Sequence, residues 1–227
     1  MEGTCQGSAK RLTAVIDLMN DWSNFASNYE AMLKEKIAQS MSYEDYRRLV
    51  TGLVAEGKTT GPKQSEDLAH YTSLNEHRMK RLDKTTQLNP ELVTALEAID
   101  RKQTWLVLTE GWCGDAAQIL PMLAKMADAA PNVELRLVLR DEHLDLMDQY
   151  LTNGGRSIPK LIVVDAETYE EKGTWGPRPA VMQEMVMARK NDPNAEPYSE
   201  FVKKAQLWYA RDKTQSTQAE LLAFLND

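Results

Sequence analysis

The stretch of sequence that decides the fold is TWLVLTEGWCGDA, residues 104–116. Its first half, 104–109, is short, rich in β-forming residues and nearly all apolar, which predicts a strand buried on both faces. A helical pattern begins at about Asp115, so Cys113 lies between a buried strand and a helix start. At a helix N-terminus the free N–H groups and the dipole stabilise a thiolate and lower a thiol pKa. Position alone leaves two interpretations of Cys113 about equally open: a nucleophilic or redox cysteine, or a small buried hydrophobe.

Strand and helix patterns alternate downstream of this stretch. Residues 133–139 alternate apolar and polar and predict a second strand, and 161–164 predict a third, buried one. A weaker signal predicts an antiparallel edge strand within 167–175. Helical patterns cover 115–129 and 144–151. Strand–helix–strand with a crossover of about this length is typical of a βαβ unit, so the central part of the chain is predicted to be α/β.

The two ends of the chain have helical patterns. In the first 90 residues, apolar side chains recur every four residues over 29–41, Ser42 with Asp45 resembles a capping box, and a longer helix is predicted over 64–86. In the tail, 198–209 keep a helical apolar stripe, and a last short helix is predicted from Thr217. We therefore expect helical regions before and after the α/β core.

Composition and charge exclude several classes of protein. The net charge of −7 and the sequence pI of about 5.2 make the chain a poor candidate for binding nucleic acid, whose affinity depends on neutralising phosphates. No apolar run approaches the roughly 18 residues that span a bilayer, and the N-terminus lacks the apolar segment of a secretory signal. Two cysteines far apart in sequence do not suggest a secreted disulfide framework, so we expect a reducing cytoplasm.

The segment around Cys113 resembles the active site of the thioredoxin family, in which Trp-Cys-Gly-Pro-Cys follows a central strand. Trp112, Cys113 and Gly114 match this motif, and Glu110 matches an acid common two places before the tryptophan. Pro121 stands where thioredoxins carry the proline that kinks the active-site helix.

Two downstream landmarks extend the resemblance. Arg156-Ser157-Ile158-Pro159 resembles the thioredoxin Arg-Gly-Ile-Pro loop, whose proline is cis and lies beside the active cysteine, and Gly176 fits a glycine that borders the substrate groove. Pro159 follows Cys113 by 46 residues, close to the spacing usual in the family. The resemblance covers roughly residues 90–190.

The resemblance implies a fold and a set of site residues. The fold class is α/β: a thioredoxin-like mixed sheet of about four strands, flanked by helices, with extra helical extensions. The expected division is an N-terminal extension over 1–89, a thioredoxin-like domain over 90–190, and a C-terminal extension over 191–227 that packs on the core. The catalytic residue implied is Cys113; the substrate-binding residues implied are Trp112, Gly114, Asp115, Ile158, Pro159 and Gly176.

Three departures from the family pattern bear on chemistry. The second active-site cysteine is replaced by Ala116, so no local thiol can clear a mixed disulfide. The proline between the two cysteines is replaced by Asp115, whose carboxylate opposes thiolate formation although it suits a helix N-terminus. The buried acid that serves the second thiol as proton acceptor is replaced by Val107, which is consistent with the loss of that thiol.

Two functions from different classes follow. The first is monothiol thiol–disulfide exchange in the cytoplasm, in which Cys113 attacks a protein disulfide or accepts a low-molecular-weight thiol and an external thiol completes the cycle. The second is a non-catalytic binding or adaptor protein that keeps the thioredoxin groove. Neither requires a cofactor, and three histidines and two cysteines give no metal-ligand spacing. No nucleic-acid or membrane partner is expected, and the oligomeric state is left open.

Other residues carry weaker signals. Cys113 and His143 form a conceivable hydrolase pair, but no third member accompanies them. Arg156 and Arg178 either place positive charge near Cys113 or are solvated residues of rigid turns. Cys5 is expected to be exposed and not disulfide-bonded, because no periodic apolar pattern surrounds it.

Overall fold

The structure, a computed structural model, describes residues 27–226. Cys5 therefore lies outside the described residues. The helices are α1 (27–39), α2 (Tyr43–Ala55), α3 (Glu66–Thr85), α4 (Pro90–Glu97), α5 (Gly114–Ala129), α6 (Leu144–Met147), α7 (Ala180–Asn191), α8 (Tyr198–Asp212) and α9 (Gln215–Asn226). The strands are β1 (Gln103–Thr109), β2 (Val133–Leu139), β3 (Lys160–Asp165) and β4 (Glu171–Trp175). No helix of the described part is both long and apolar enough to cross a membrane.

The four strands form one mixed sheet in the order β2-β1-β3-β4. β1 pairs with β2 in parallel, and the crossover between them is α5. β3 pairs antiparallel with β1 and with β4. The predicted α/β class, with a mixed four-stranded sheet and helices on either side in sequence, is confirmed.

The centre of the sheet is buried and largely apolar. β1 is buried from Thr104 to Thr109, and β3 is buried along its whole length. α5 packs on the sheet and buries most of its first ten residues, including Pro121. These two elements place the β1–α5 turn, which carries Cys113, at the edge of the main hydrophobic core.

The N-terminal helices cover the outer side of the sheet and the site loop. Met41 forms an antiparallel bridge with Leu137, so the free edge of β2 is occupied by the chain itself. Ser42 caps α2 as predicted, because its hydroxyl accepts the N–H of Asp45 at 3.1 Å. α3 packs against α5 along the main core, where Met79 and Leu82 are buried.

The C-terminal helices have two different roles. α9 sends Leu221 into the main core, and its Glu220 accepts the indole N–H of Trp175 on β4 at 3.0 Å. α7 and α8 instead form a second, separate apolar cluster, which consists of Met182, Phe201, Ala205 and Tyr209. The structure thus contains a helical hairpin, α7–α8, that packs largely on itself.

α7 is the element that the sequence analysis missed. Its sequence holds Met182, Met185 and Val186 at helical spacing behind Pro179, a signal that was present but short. The edge strand is shorter than predicted, since β4 begins only at Glu171, and α6 ends at Met147 rather than near residue 151.

Candidate active site

Cys113 is the N-cap residue of α5. Its Sγ accepts a hydrogen bond from the backbone N–H of Ala116 at 3.5 Å and donates its proton to the carbonyl oxygen of Ile158 at 3.3 Å. The Ile158–Pro159 peptide bond is cis. The cysteine is the free thiol of the described residues, and only 8% of its surface is exposed. Cys113 and Ile158, which are 45 residues apart in the sequence, are therefore in contact through the cysteine sulfur.

The pKa of Cys113 is raised, not lowered. Burial raises it from its ordinary value of 9.0 to about 12, and the charge of Asp115 adds to the increase. The hydrogen bond from the Ala116 N–H and the charge of Arg178 lower the Cys113 pKa, but they do not offset the increase caused by burial and by Asp115. The helix N-terminus does act to lower the Cys113 pKa, as its position suggests, but desolvation of the sulfur outweighs the helix end. The thiol rests in its protonated form.

A layer of buried polar groups holds the turn before Cys113. Glu110 is fully buried, and its carboxylate accepts the hydroxyl of Thr60 and the backbone N–H of Asp141, the latter at 2.9 Å. The Thr60 hydroxyl in turn accepts the N–H of Gly111 at 2.8 Å, while Asn75 donates to the Gly111 carbonyl at 2.9 Å. Burial raises the pKa of Glu110. The N-terminal helical region thus fixes the backbone of the site.

Asp115 anchors the α7–α8 hairpin to the start of α5. Its carboxylate pairs with the guanidinium of Arg178 at 2.7 Å and accepts the hydroxyl of Tyr209 at 2.7 Å. The Arg178 guanidinium is about one-eighth exposed, so this ion pair is well shielded from water. The residue that replaces the family's proline is therefore part of a polar joint between the active-site helix and α8.

α8 lies directly over the thiol-bearing turn. Gln206 accepts a hydrogen bond from Gln118 at 2.7 Å, and its amide nitrogen would lie 3.0 Å from a Cβ added to Gly114. Beneath α8 lies a cavity of about 770 Å³, into which Trp112, Cys113, Gly114, Asp115 and Ile158 all contribute. α8 therefore forms a cover over part of this cavity, which stays partly open to solvent.

Pro159 and Gly176 lie behind this cavity rather than in its wall. Gly176 has φ of +111°, and a Cβ there would lie 2.5 Å from the carbonyl oxygen of Pro159. The side chain of Lys160 donates to the Gly176 carbonyl at 3.2 Å. The structure therefore brings Gly176 against Pro159, where only glycine fits, and not into the lining of the cavity.

Two arginines flank the tryptophan side of the cavity. Arg140 stacks over the ring of Trp112 at 4.8 Å and donates to the Arg156 carbonyl at 3.0 Å. Arg156 pairs with Asp148 at 2.6 Å, lines the cavity and is about half exposed. Arg178 also lines the cavity, but it is largely buried and its charge acts on Cys113, so it is not a solvated turn residue.

The remaining sequence candidates lie elsewhere. His143 does not line the cavity, so the structure gives no support to a Cys113–His143 hydrolase pair. Within residues 27–226 no group of three or more His, Cys, Asp or Glu side chains could hold a metal ion. Sequence reasoning also missed the roles of Thr60, Asn75 and Tyr209, which carry no local motif and depend on long-range packing.

Comparison with known proteins assigns the family. A family model described as thioredoxin matches residues 61–196, more than half of the chain. The chain belongs to the thioredoxin family. The match begins in the loop before α3 and ends beyond α7. No significant match was found among curated proteins.

Two solved structures are similar to this chain. A crystal structure of a protein of unknown function from Pseudomonas aeruginosa matches with a TM-score of 0.52 at 21% identity, covering 70% of this chain and 90% of that protein. An HIV epitope scaffold matches with a TM-score of 0.49 at 21% identity, covering 82% of this chain and 98% of the scaffold. The first likeness supports the fold alone, and the second is too low to add to it.

Proposed function

We propose that this protein is a monothiol thiol–disulfide exchange protein of the cytoplasm that acts on low-molecular-weight disulfides. The proton of Cys113 is lost and its sulfur attacks one sulfur of a small disulfide RSSR. This step forms a Cys113–S–S–R mixed disulfide, breaks the substrate S–S bond and releases RSH, which takes up the proton. An external thiol R′SH then attacks the mixed disulfide, yields RSSR′ and restores the Cys113 thiol.

The observation that carries the proposal is the position of Cys113 inside a covered cavity. The sulfur lies at the cap of α5, beside the Ile158 carbonyl, and Ala116 occupies the place of a resolving thiol. Because Gln206 closely approaches Gly114, α8 restricts the access of an extended protein segment to this turn, whereas a small disulfide fits within about 770 Å³. Of the two partner classes expected from sequence, the cavity partly covered by α8 favours the small thiol or disulfide.

One observation favours the second candidate, a thioredoxin-fold binding protein without turnover. The thiolate is the nucleophile in exchange, and burial together with Asp115 raises the pKa of Cys113 to about 12. If that pKa persists when a ligand occupies the cavity, the cysteine serves as a buried apolar side chain and the cavity binds without reaction.

A coupled exchange assay separates the two functions. The protein is mixed with bis(2-hydroxyethyl) disulfide and a small reduced thiol, and the rate of exchange above the uncatalysed rate is measured. We expect the Cys5→Ser variant to keep the catalysed rate and the Cys113→Ser variant to lose it, since Cys113 is the sulfur that carries the mixed disulfide. An unchanged rate in Cys113→Ser would overturn the proposal. Loss of all catalysis in every form, with ligand binding retained, would establish the second candidate.

A further inference from the structure

The wall of the cavity beside Cys113 carries a large excess of positive charge. Six cationic side chains line it, against the two carboxylates of Asp115 and Asp192. The cationic residues are Arg78, Arg140, Arg156, Arg178, Arg189 and Lys190. The chain as a whole has a net charge of −7, so this cluster of cations is a local feature and not the average of a basic surface.

Three of these cations are not neutralised by a carboxylate. Within the described residues no carboxylate oxygen lies within 4 Å of Arg78, Arg189 or Lys190, whereas the other three pair with Asp141, Asp148 and Asp115. Arg78 donates to the Asn75 side-chain carbonyl at 2.6 Å, and burial with the nearby charge of Arg81 lowers its pKa. These three cations face the one remaining carboxylate of the wall, that of Asp192, so the cavity keeps a net excess of two positive charges.

Arg189 is the most informative of the three. Its guanidinium stacks between Tyr198 and Phe201, 5.5 Å from each ring centre, and donates to the carbonyl of Glu196 at 3.0 Å. Its Nε is buried and, within residues 27–226, has no hydrogen-bond partner. The Nε itself is shielded from the cavity, but the guanidinium lines it with a positive charge that no carboxylate neutralises, and such a charge favours a bound anion.

Much of the rest of the wall is apolar. Tyr71, Val186, Phe201 and Val202 face the same space as the arginines. A ligand that matches this cavity therefore combines several negative charges with an uncharged body, and it places a sulfur near Cys113.

We infer that the cavity binds a small disulfide, or its thiol, that carries two or more negative charges as carboxylates or phosphates. The sulfur chemistry rests on the proposed function, but binding of the anion does not. Arg189, Arg78 and Lys190 bind the charged groups, and the apolar wall contacts the remainder of the ligand. Selectivity for negative charge is thus a property of the cavity wall and is separable from the reactivity of Cys113.

Binding is tested in a protein that cannot exchange. In the Cys5→Ser/Cys113→Ser variant, calorimetry is carried out with four probes: glutathione disulfide for carboxylates, 4′-phosphopantetheine disulfide for phosphates, bis(2-hydroxyethyl) disulfide as the neutral probe and cystamine as the cationic one. We expect an anionic probe to bind at least about tenfold more tightly than the neutral and cationic probes, with affinity that falls as salt rises. The anionic probe that binds more tightly shows whether the cavity prefers carboxylates or phosphates. Equal affinity for all four probes would overturn the inference.

Variants of the cationic wall provide the second readout. Arg189→Gln and, separately, the exposed Lys190→Gln are each expected to weaken the anionic probe, Arg189→Gln by about tenfold, the usual effect of losing one charge-assisted hydrogen bond. Arg101→Gln, an exposed arginine outside the cavity, serves as the matched control and should leave binding unchanged. If Arg101→Gln weakens binding as much as the cavity variants do, the attraction is a general charge effect and the inference fails. If the protein that keeps Cys113 catalyses no exchange while the anionic probe still binds selectively, only the proposed function is disproved and the inference about binding stands.

Discussion

The unmodified protein is expected to reduce insulin-type disulfides many orders of magnitude more slowly than a two-cysteine thioredoxin. After Cys113 attacks, the mixed disulfide has a methyl group, not a thiol, at position 116. An intramolecular group in a good position reaches an effective concentration of roughly 10⁵ M or more, and this protein must replace it with a dilute external thiol. α8 adds a steric barrier, because it covers the turn that a protein disulfide must reach.

The test compares three proteins in a turbidity assay of insulin reduction. Ala116→Cys should raise the rate, because it supplies the missing thiol at the position whose N–H already lies 3.5 Å from the sulfur of Cys113. The recovery should remain partial, since Val107 offers no proton acceptor and Asp115 disfavours the thiolate. Ala116→Ser is the matched control and should stay slow. An unmodified protein as fast as a two-cysteine thioredoxin, with no small thiol present, would disprove the monothiol account.

The second large effect concerns the reactivity of Cys113 toward an alkylating agent. With the pKa raised from 9.0 to about 12, the thiolate fraction at neutral pH is about a thousandfold smaller than that of an ordinary thiol. We expect the rate of iodoacetamide alkylation, followed by mass spectrometry in the Cys5→Ser protein, to be lower by at least that factor. The rate should rise about tenfold per pH unit and show no plateau below pH 11. A plateau near pH 9 would show that the thiol is not perturbed.

Asp115 provides a variant that removes the negative charge nearest to Cys113 in sequence. Asp115→Asn removes the negative charge that raises the Cys113 pKa and weakens the joint with Arg178 and Tyr209. Both changes favour the thiolate, so alkylation at neutral pH should accelerate by about tenfold or more. Asp128→Asn, an exposed carboxylate near the far end of α5, is the control and should leave the rate unchanged.

The fold and the centre of the site could be predicted because their signals are local. β1 is a short apolar strand, α5 begins one residue after Cys113, and the order of Trp112-Cys113, Pro121 and Ile158-Pro159 is a linear pattern. Apolar periodicity and turn chemistry act over a few residues, and a single sequence contains them in full. The position of Cys113 at a helix cap beside Ile158 follows from those landmarks.

What could not be predicted depends on contacts between distant parts of the chain. Asp115 meets Tyr209 across 94 residues, and Thr60 meets Glu110 across 50. The pKa of Cys113 likewise depends on how completely the α7–α8 hairpin excludes water, which no local motif encodes. The sequence analysis weighed the helix end and the charge of Asp115, but the largest influence on the Cys113 pKa is burial.

The most direct test of the central claim is the intact mass of the Cys5→Ser protein after incubation with bis(2-hydroxyethyl) disulfide. We expect the mass to rise by one mercaptoethanol unit on Cys113, the adduct to persist when the disulfide is removed, and the original mass to return when a small thiol is added. Persistence follows from the absence of a thiol at Ala116, and return follows from attack by the external thiol. A protein that gains no mass even at pH 10, or that loses the adduct with no thiol added, would contradict the account.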